Sequence, residues 1–157
     1  KWVTDVTEFK YGNGKKAYLS AILDLGDRRI VSWVLGHSNN NPLVFETLSR
    51  AIEGNVEATP LLHSDRGFQY TNKVFKTMLD TARMTQSMSR IGRCIDNGPM
   101  EGFWGIIKSE MYYLGHFKNY EELEAAVSDY IFYYNNERLQ KRLNCLPPIK
   151  YNKAINK

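Results

Sequence analysis

Three acidic residues carry the chemistry open to this chain: Asp5 in WVTDVTEF, Asp65 in HSDRGFQYTN and Glu101 in DNGPMEGFWGIIKSE. Brought together, three carboxylates supply the hard oxygen donors that magnesium prefers, and a pair of such ions can drive attack on a phosphodiester. Between Asp65 and Glu101 lie 35 residues, and Lys108 follows the glutamate by seven. At about 3.6 residues per turn, seven positions return to the same helix face, so Glu101 and Lys108 would point into one site.

Each acid also has a plain structural explanation. An aspartate inside a strand usually marks an edge or a turn, Asp65 suits the turn chemistry of SDRG, and Glu101, third after Gly98, complements a helix dipole. A lone lysine on a helix is ordinarily a solvated one. It is the joint occurrence and spacing that favour catalysis. Period-two alternation puts Asp5 on a face with Val3, Thr7 and Phe9, opposite Thr4, Val6 and Glu8, so only one of Asp5 and Glu8 can face the site.

The elements that must position these groups follow from residue pattern. Trp2–Phe9, Ala17–Leu25 and Arg29–Gly36 are rich in β-branched, aromatic and aliphatic residues and are split by the turn-like GNGKK and GDR, which predicts an antiparallel meander. Pro42, after Asn39–Asn41, opens a helix with Leu43, Val44, Thr47, Leu48, Ala51 and Ile52 on one face and Gly54 as its stop. Leu61–Ser64 is a fourth strand ending at Asp65, followed by a helix marked by Val74, Phe75, Met78, Leu79 and Ala82. Met84–Ser87 is a fifth short strand, and Arg90–Asn97 a loop. Pro99 opens a helix to about Tyr113 that carries Glu101 in its first turn. Leu123, Val127, Tyr130, Ile131 and Tyr134 stripe a last helix, and Pro147-Pro148 ends regular structure. Strands first and strand–helix units afterwards imply one mixed sheet flanked by helices.

Taken in order, the aspartate string, HSDRGFQY, the 35-residue gap and the lysine resemble the retroviral-integrase-like DDE transposases, specifically the recombinase of the insertion-sequence-three group. The resemblance runs from Lys1 to about Tyr151. It implies a ribonuclease-H-like α/β fold, a five-stranded mixed sheet with three antiparallel and then two parallel strands. It selects Asp5 over Glu8 and makes Asp5, Asp65 and Glu101 both the catalytic residues and the metal ligands, with two Mg2+ or Mn2+ ions expected when substrate is present. It implies a polynucleotidyl transferase whose partners are DNA, as element ends and target, and further copies of the chain assembled on it. Metal-assisted hydrolysis would free a 3′-hydroxyl, which would then attack a second phosphodiester. Lys108 is expected to contact DNA near the scissile phosphate. Tyr133, Tyr134, Asn135, Arg138 and the following LxxxPP resemble the family's C-terminal signature, with Gln140 where many relatives carry histidine.

Other candidates come from the residues alone. Arg90 and Arg93 flank the glycine-containing loop before Glu101 and could clamp a DNA backbone. His63 and Ser64 could orient Asp65 or be satisfied core groups, Gln69 and Tyr70 are weaker candidates for stacking or phosphate contact, and Asn97 could face the cleft or cap the helix.

Composition sets the frame. The 157 residues, 43% hydrophobic, fit a single domain, residues 1–157, and the net charge of +4 is compatible with an anionic partner without demanding one. From Arg138 to Lys157 there are six Lys/Arg and no acid, a basic extension over about 138–157 and a candidate phosphate contact, Arg138 included. Two cysteines and three histidines with no CxxC or HxxxH pair argue against zinc and against a disulfide framework. No apolar run reaches the ~20 residues of a membrane helix. The expectation is a cytoplasmic, prokaryotic protein, nucleoid-associated when acting. The chain opens on its first strand, so it is expected to be a catalytic fragment without the upstream helix-turn-helix modules that read element ends in the resembling family.

Two rival readings remain. A ribonuclease H of the same fold would need an acid from the first helix, Glu46 or Glu53. A decayed core would bind DNA or protein without cutting.

Overall fold

Alternating side chains build the sheet. In the computed structural model, which describes residues 1–91 and 97–156, the strands are Trp2–Tyr11 (β1), Lys15–Asp24 (β2), Ile30–Gly36 (β3), Leu61–Ser64 (β4) and Thr85–Met88 (β5). They lie in the order β3-β2-β1-β4-β5. β1, β2 and β3 pair antiparallel, and β1–β4 and β4–β5 pair parallel. The expected mixed sheet is therefore present, with ends shifted by one or two residues.

Helices cover both faces, as parallel strands require. Asn41–Glu53 (α1) is capped by Asn40, whose side chain accepts from the Leu43 amide at 3.2 Å, carries Pro42 in its first turn and stops at Gly54. Lys73–Thr81 (α2) follows β4. One core layer joins α1 and α2 to the sheet through Trp2, Ile22, Val44, Leu48, Leu62, Phe75 and Leu79. The other face holds Gly98–Ile107 (α3) and Tyr120–Asn136 (α4), with Val3, Phe9, Leu19, Met100, Ile107, Leu123 and Ile131 interlocked. The two layers separate even from odd residues of β1: Trp2 and Val6 face α1, Val3 and Phe9 face α3.

Helix α4 secures the outer strand at both ends. The Tyr120 hydroxyl donates to the Leu35 carbonyl at 2.8 Å. The Asn135 side chain accepts from the Ile30 amide at 2.8 Å and donates to its carbonyl at 3.0 Å, standing in for a rung of a missing neighbour strand.

Two expectations are narrowed and one needs correction. The helix predicted to run from Pro99 to Tyr113 is α-helical only to Ile107, and its continuation, Lys108–Tyr112, is wound as a π-helix. Asn97 starts α3 without a side-chain capping bond. Pro147-Pro148 does not end regular structure: Pro148 opens a helix, Pro148–Ile155 (α5). A proline at the first helical position has no amide that the helix would use, and its φ is already helical, so the pair starts a helix rather than forbidding one. Asn152 of α5 donates to Asp27 at 2.8 Å, tying that segment to the β2–β3 turn. Among the described residues, no helix is long and apolar enough to cross a membrane.

Candidate active site

The parallel register of β1 and β4 brings the first two acids side by side. Val3 pairs with His63, and Asp5 and Asp65 each lie two residues further along their chains. Both therefore continue the alternation onto the α3 face. Asp65 leaves the end of β4 in a tight turn: its Oδ1 accepts the Gly67 amide at 2.7 Å. A Cβ at Gly67 would sit 2.9 Å from that oxygen, so only glycine lets the turn close on the carboxylate. Arg66 Nε donates to the Ser89 carbonyl at 2.9 Å and fastens the same turn to the end of β5.

Glu101 comes from the first turn of α3, and three residues on, Trp104 donates its indole N–H to Asp5 Oδ2 at 3.2 Å. Positions three apart lie on one side of a helix, so the bond turns the Glu101 side of α3 toward β1. Trp104 is only 7% exposed. Sequence reasoning missed it, although its position three after Glu101 was the available signal.

Electrostatics link all three acids. Burial pushes the Asp5 carboxyl above its ordinary value, the Val6 amide and the Trp104 indole hold it down, and the negative charges of Asp65 and then Glu101 raise it again. The buried Tyr70 hydroxyl is pushed well up, first by burial and then by Asp5 and Asp65. Asp5 and Asp65 are half-buried and Glu101 is exposed. Among the described residues, no three His, Cys, Asp or Glu side chains form a ready metal-holding group, so the trio shares one field without closing into a ligand set. The donor chemistry nonetheless fits a hard divalent cation: the groups are carboxylate oxygens, and the charges of Asp65 and Glu101 work against ionisation of Asp5 where no positive charge is supplied.

The other sequence candidates fall in varied places. Lys108 holds its ammonium 5.7 Å from the centroid of the Phe9 ring, on the face of β1 that carries Asp5. His63 is a satisfied core histidine, its ring nitrogens 2.9 Å from Ser87 Oγ and 3.2 Å from Ser89 Oγ. Gln69 bonds to Asn39 and Tyr70 is 2% exposed, so neither offers a surface to a base. Arg90 is exposed just beyond β5, and Arg93 lies outside the described residues. Arg138 is committed elsewhere: it grips Glu110 with both sides of its guanidinium, at 2.8 Å and 2.7 Å, which holds that carboxyl below its usual range. Glu46, the acid a ribonuclease H arrangement would need, pairs with Arg50 at 2.7 Å. The same Arg50 reaches the Trp33 carbonyl of β3, two strands away from Asp5.

Two models described as integrase core domain match residues 1–94 and 101–154. The chain is 43% identical over 152 residues to the putative transposase InsK for insertion sequence element IS150 of Escherichia coli K12, covering 96% of this chain and 53% of that protein. It is 42% identical over 151 residues to an uncharacterized transposase-like protein of Haemophilus influenzae, covering 96% and 69%. The chain thus spans about half of the first relative's length and rather more of the second's. Among solved structures, the magnesium-bound catalytic core domain of the HTLV-2 integrase superposes with a TM-score of 0.77 at 18% identity, covering 96% of this chain and 93% of that one. The catalytic core domain of the BIV integrase gives 0.73 at 16%, covering 99% and 95%. At such identities the likeness bears on the fold, which is the ribonuclease-H-like fold of these cores.

Proposed function

Because the chain belongs to the integrase core domain family, we propose that it is the catalytic core of an insertion-sequence DNA transposase of the insertion-sequence-three group. Its reaction is phosphodiester hydrolysis at element ends followed by transfer of the freed 3′-hydroxyl to a second strand. The observation that carries this reading is the meeting of Asp5, Asp65 and the Glu101 side of α3 at one end of the parallel β1–β4 pair. Ligands in open α/β sheets gather at such carboxyl ends of strands.

Asp5, Asp65 and Glu101 would hold Mg2+ or Mn2+, two ions when substrate phosphate completes their surroundings. The ions would lower the pKa of the attacking water or hydroxyl and neutralise charge gathering on the phosphate oxygens. The protein's own part is preorganisation. Trp104 fixes one oxygen of Asp5, and the Gly67 turn and the Arg66–Ser89 bond fix the angle of Asp65. Lys108 and Arg90 are proposed to meet the DNA backbone near the reacting phosphate, with Arg93 joining them. Element-end DNA, target DNA and further copies of the chain are the proposed partners, acting on the bacterial chromosome.

The test is Mn2+-dependent joining of an oligonucleotide carrying a free 3′-hydroxyl. Asp65→Asn and Glu101→Gln should each lower product by a factor of 100 or more, on the order of what a missing catalytic group costs. Equal product from wild type and both variants would reject the assignment.

A further inference from the structure

A second polar site lies on the other flank of α3. A pocket of about 600 Å³ is lined by Arg28, Gly98, Gly102, Gln140, Lys141 and Arg142, among others, and the one further cation in its wall, Arg138, is already taken by Glu110. Among the described residues, no carboxylate lines it, and Arg28, Lys141 and Arg142 form no ion pair. The guanidinium of Arg28 is partly desolvated and lies within the field of Arg142, both of which lower its pKa, burial first. Two like charges held close without a counter-charge call for an anion.

The backbone around these cations is strained in a way that fixes them. Arg28 sits at φ +64, and Asn144 and Cys145 follow one another at +56 and +60. Such conformations are disfavoured outside glycine and cluster at ligand clamps. The strained knuckle is closed by the Cys145 amide donating to the Gln140 carbonyl at 3.0 Å, and it is anchored by Leu143, 2% exposed, while Lys141 and Arg142 remain exposed.

The pocket connects to the proposed active site across α3. At about 100° per residue, Gly98, Gly102 and Gly105 fall in one narrow stripe, with Glu101 bordering it on one side and Pro99 and Ile106 of the pocket wall on the other. Among the described residues, a Cβ added at any of the three glycines would meet nothing within 4 Å. With respect to the described residues, the helix backbone is thus open to close approach at these three glycines, between Glu101 and the arginines.

We infer that Arg28, Lys141 and Arg142 bind the phosphate backbone of a DNA strand that crosses the glycine stripe of α3 into the proposed active site. This rests on the DNA reading above and adds a track to it: the pocket holds the strand some distance from the reacting phosphate and sets its direction. Arg138 is not part of the track.

Equilibrium binding of a fluorescently labelled DNA duplex in EDTA, over a series of salt concentrations, tests the pocket. Arg28→Gln and Arg142→Gln should each reduce the slope of log affinity against log salt by about 0.9 and weaken binding about eightfold at 0.1 M salt, with the double variant compounding both effects. Arg28→Lys, which keeps the charge, should restore most of the affinity. Lys76→Gln, which removes an equal charge from α2, should leave the slope within error. Thermal unfolding of each variant separates misfolding from lost contact. Variants that fold as the wild type does and bind with its affinity and slope overturn the pocket. Mn2+-dependent joining by the wild type separates this from the larger reading. Joining without any effect of the arginine variants defeats only the track, whereas lost slope without joining in any protein defeats only the enzyme.

Discussion

Asp5 should act against the stability of the protein that contains it. The carboxyl is half-buried and shares its field with Asp65 and Glu101, so the folded state disfavours its ionised form. Asp5→Asn removes the charge and keeps an amide oxygen able to accept the Trp104 indole N–H, so the substitution isolates the electrostatic cost from the hydrogen bond. Every tenfold by which folding disfavours ionisation is worth about 1.4 kcal/mol at neutral pH. A domain of this size answers 1 kcal/mol with roughly 2–4 °C in Tm, so the variant should melt a few degrees higher in EDTA. The sign with pH is fixed. A carboxyl whose folded pKa is raised takes stability away as pH climbs from its ordinary 3.8 through the folded value, and the deficit is constant above. The gap between variant and wild type should therefore close in acid. Added Mg2+ should reverse the order, because a ligand that binds only the native wild type stabilises it, by about 2.7 kcal/mol at a hundredfold excess over Kd. Thermal unfolding followed by circular dichroism, with and without Mg2+ and across pH, reads all of these. Glu8→Gln, on the opposite face of β1 where Glu8 meets Lys16 at 3.7 Å, serves as the control and should shift little. A metal-free Asp5→Asn protein less stable than wild type at neutral pH, with Mg2+ raising both alike, would refute the reasoning.

Two further substitutions test how the frame is held. Asn135→Ala strips both bonds from Ile30, whose residue is 3% exposed, and should cost about 1–3 kcal/mol in urea denaturation for a buried amide left without a partner. A loss below a few tenths would show that water replaces the side chain. Glu110→Gln should cost no more than about 1 kcal/mol near neutral pH, because the Arg138 pair is partly solvated. The Glu110 carboxyl is held below its ordinary 4.5, chiefly by Arg138, so its contribution is present above that value and lost as pH falls through the folded one. Denaturation in acid should find variant and wild type equal.

Much of this frame was legible because local chemistry and tertiary structure agree. The alternation of Trp2–Tyr11, the Asn40–Pro42 helix start, the Gly54 stop and the short strand before Asp65 are all signalled by neighbours within a few residues. Asp65 and the Glu101–Trp104 stretch were visible as strings, but the bond from Trp104 to Asp5 spans 99 positions and depends on how α3 lies across β1. Arg138 misled for the same reason. A basic run reads as a phosphate contact until Glu110, on another element, claims its first arginine. Pro147-Pro148 was misjudged through weighing what proline breaks and not what it begins. Arg28 gave no signal at all, since a single arginine in a hairpin turn acquires meaning only when Lys141 and Arg142 are folded against it.

The bonds from Tyr120 and Asn135 to the ends of β3 have a bearing on biosynthesis. β3 is an outer strand, finished when residue 36 has been made, yet the groups that occupy its terminal amide and carbonyls arrive some hundred positions later. Until the ribosome has released α4, that margin is available to any passing extended segment, another nascent copy included. Truncation before residue 120 should accordingly yield aggregates and not a smaller folded unit, and slow translation through the final third of the message should lengthen the vulnerable interval.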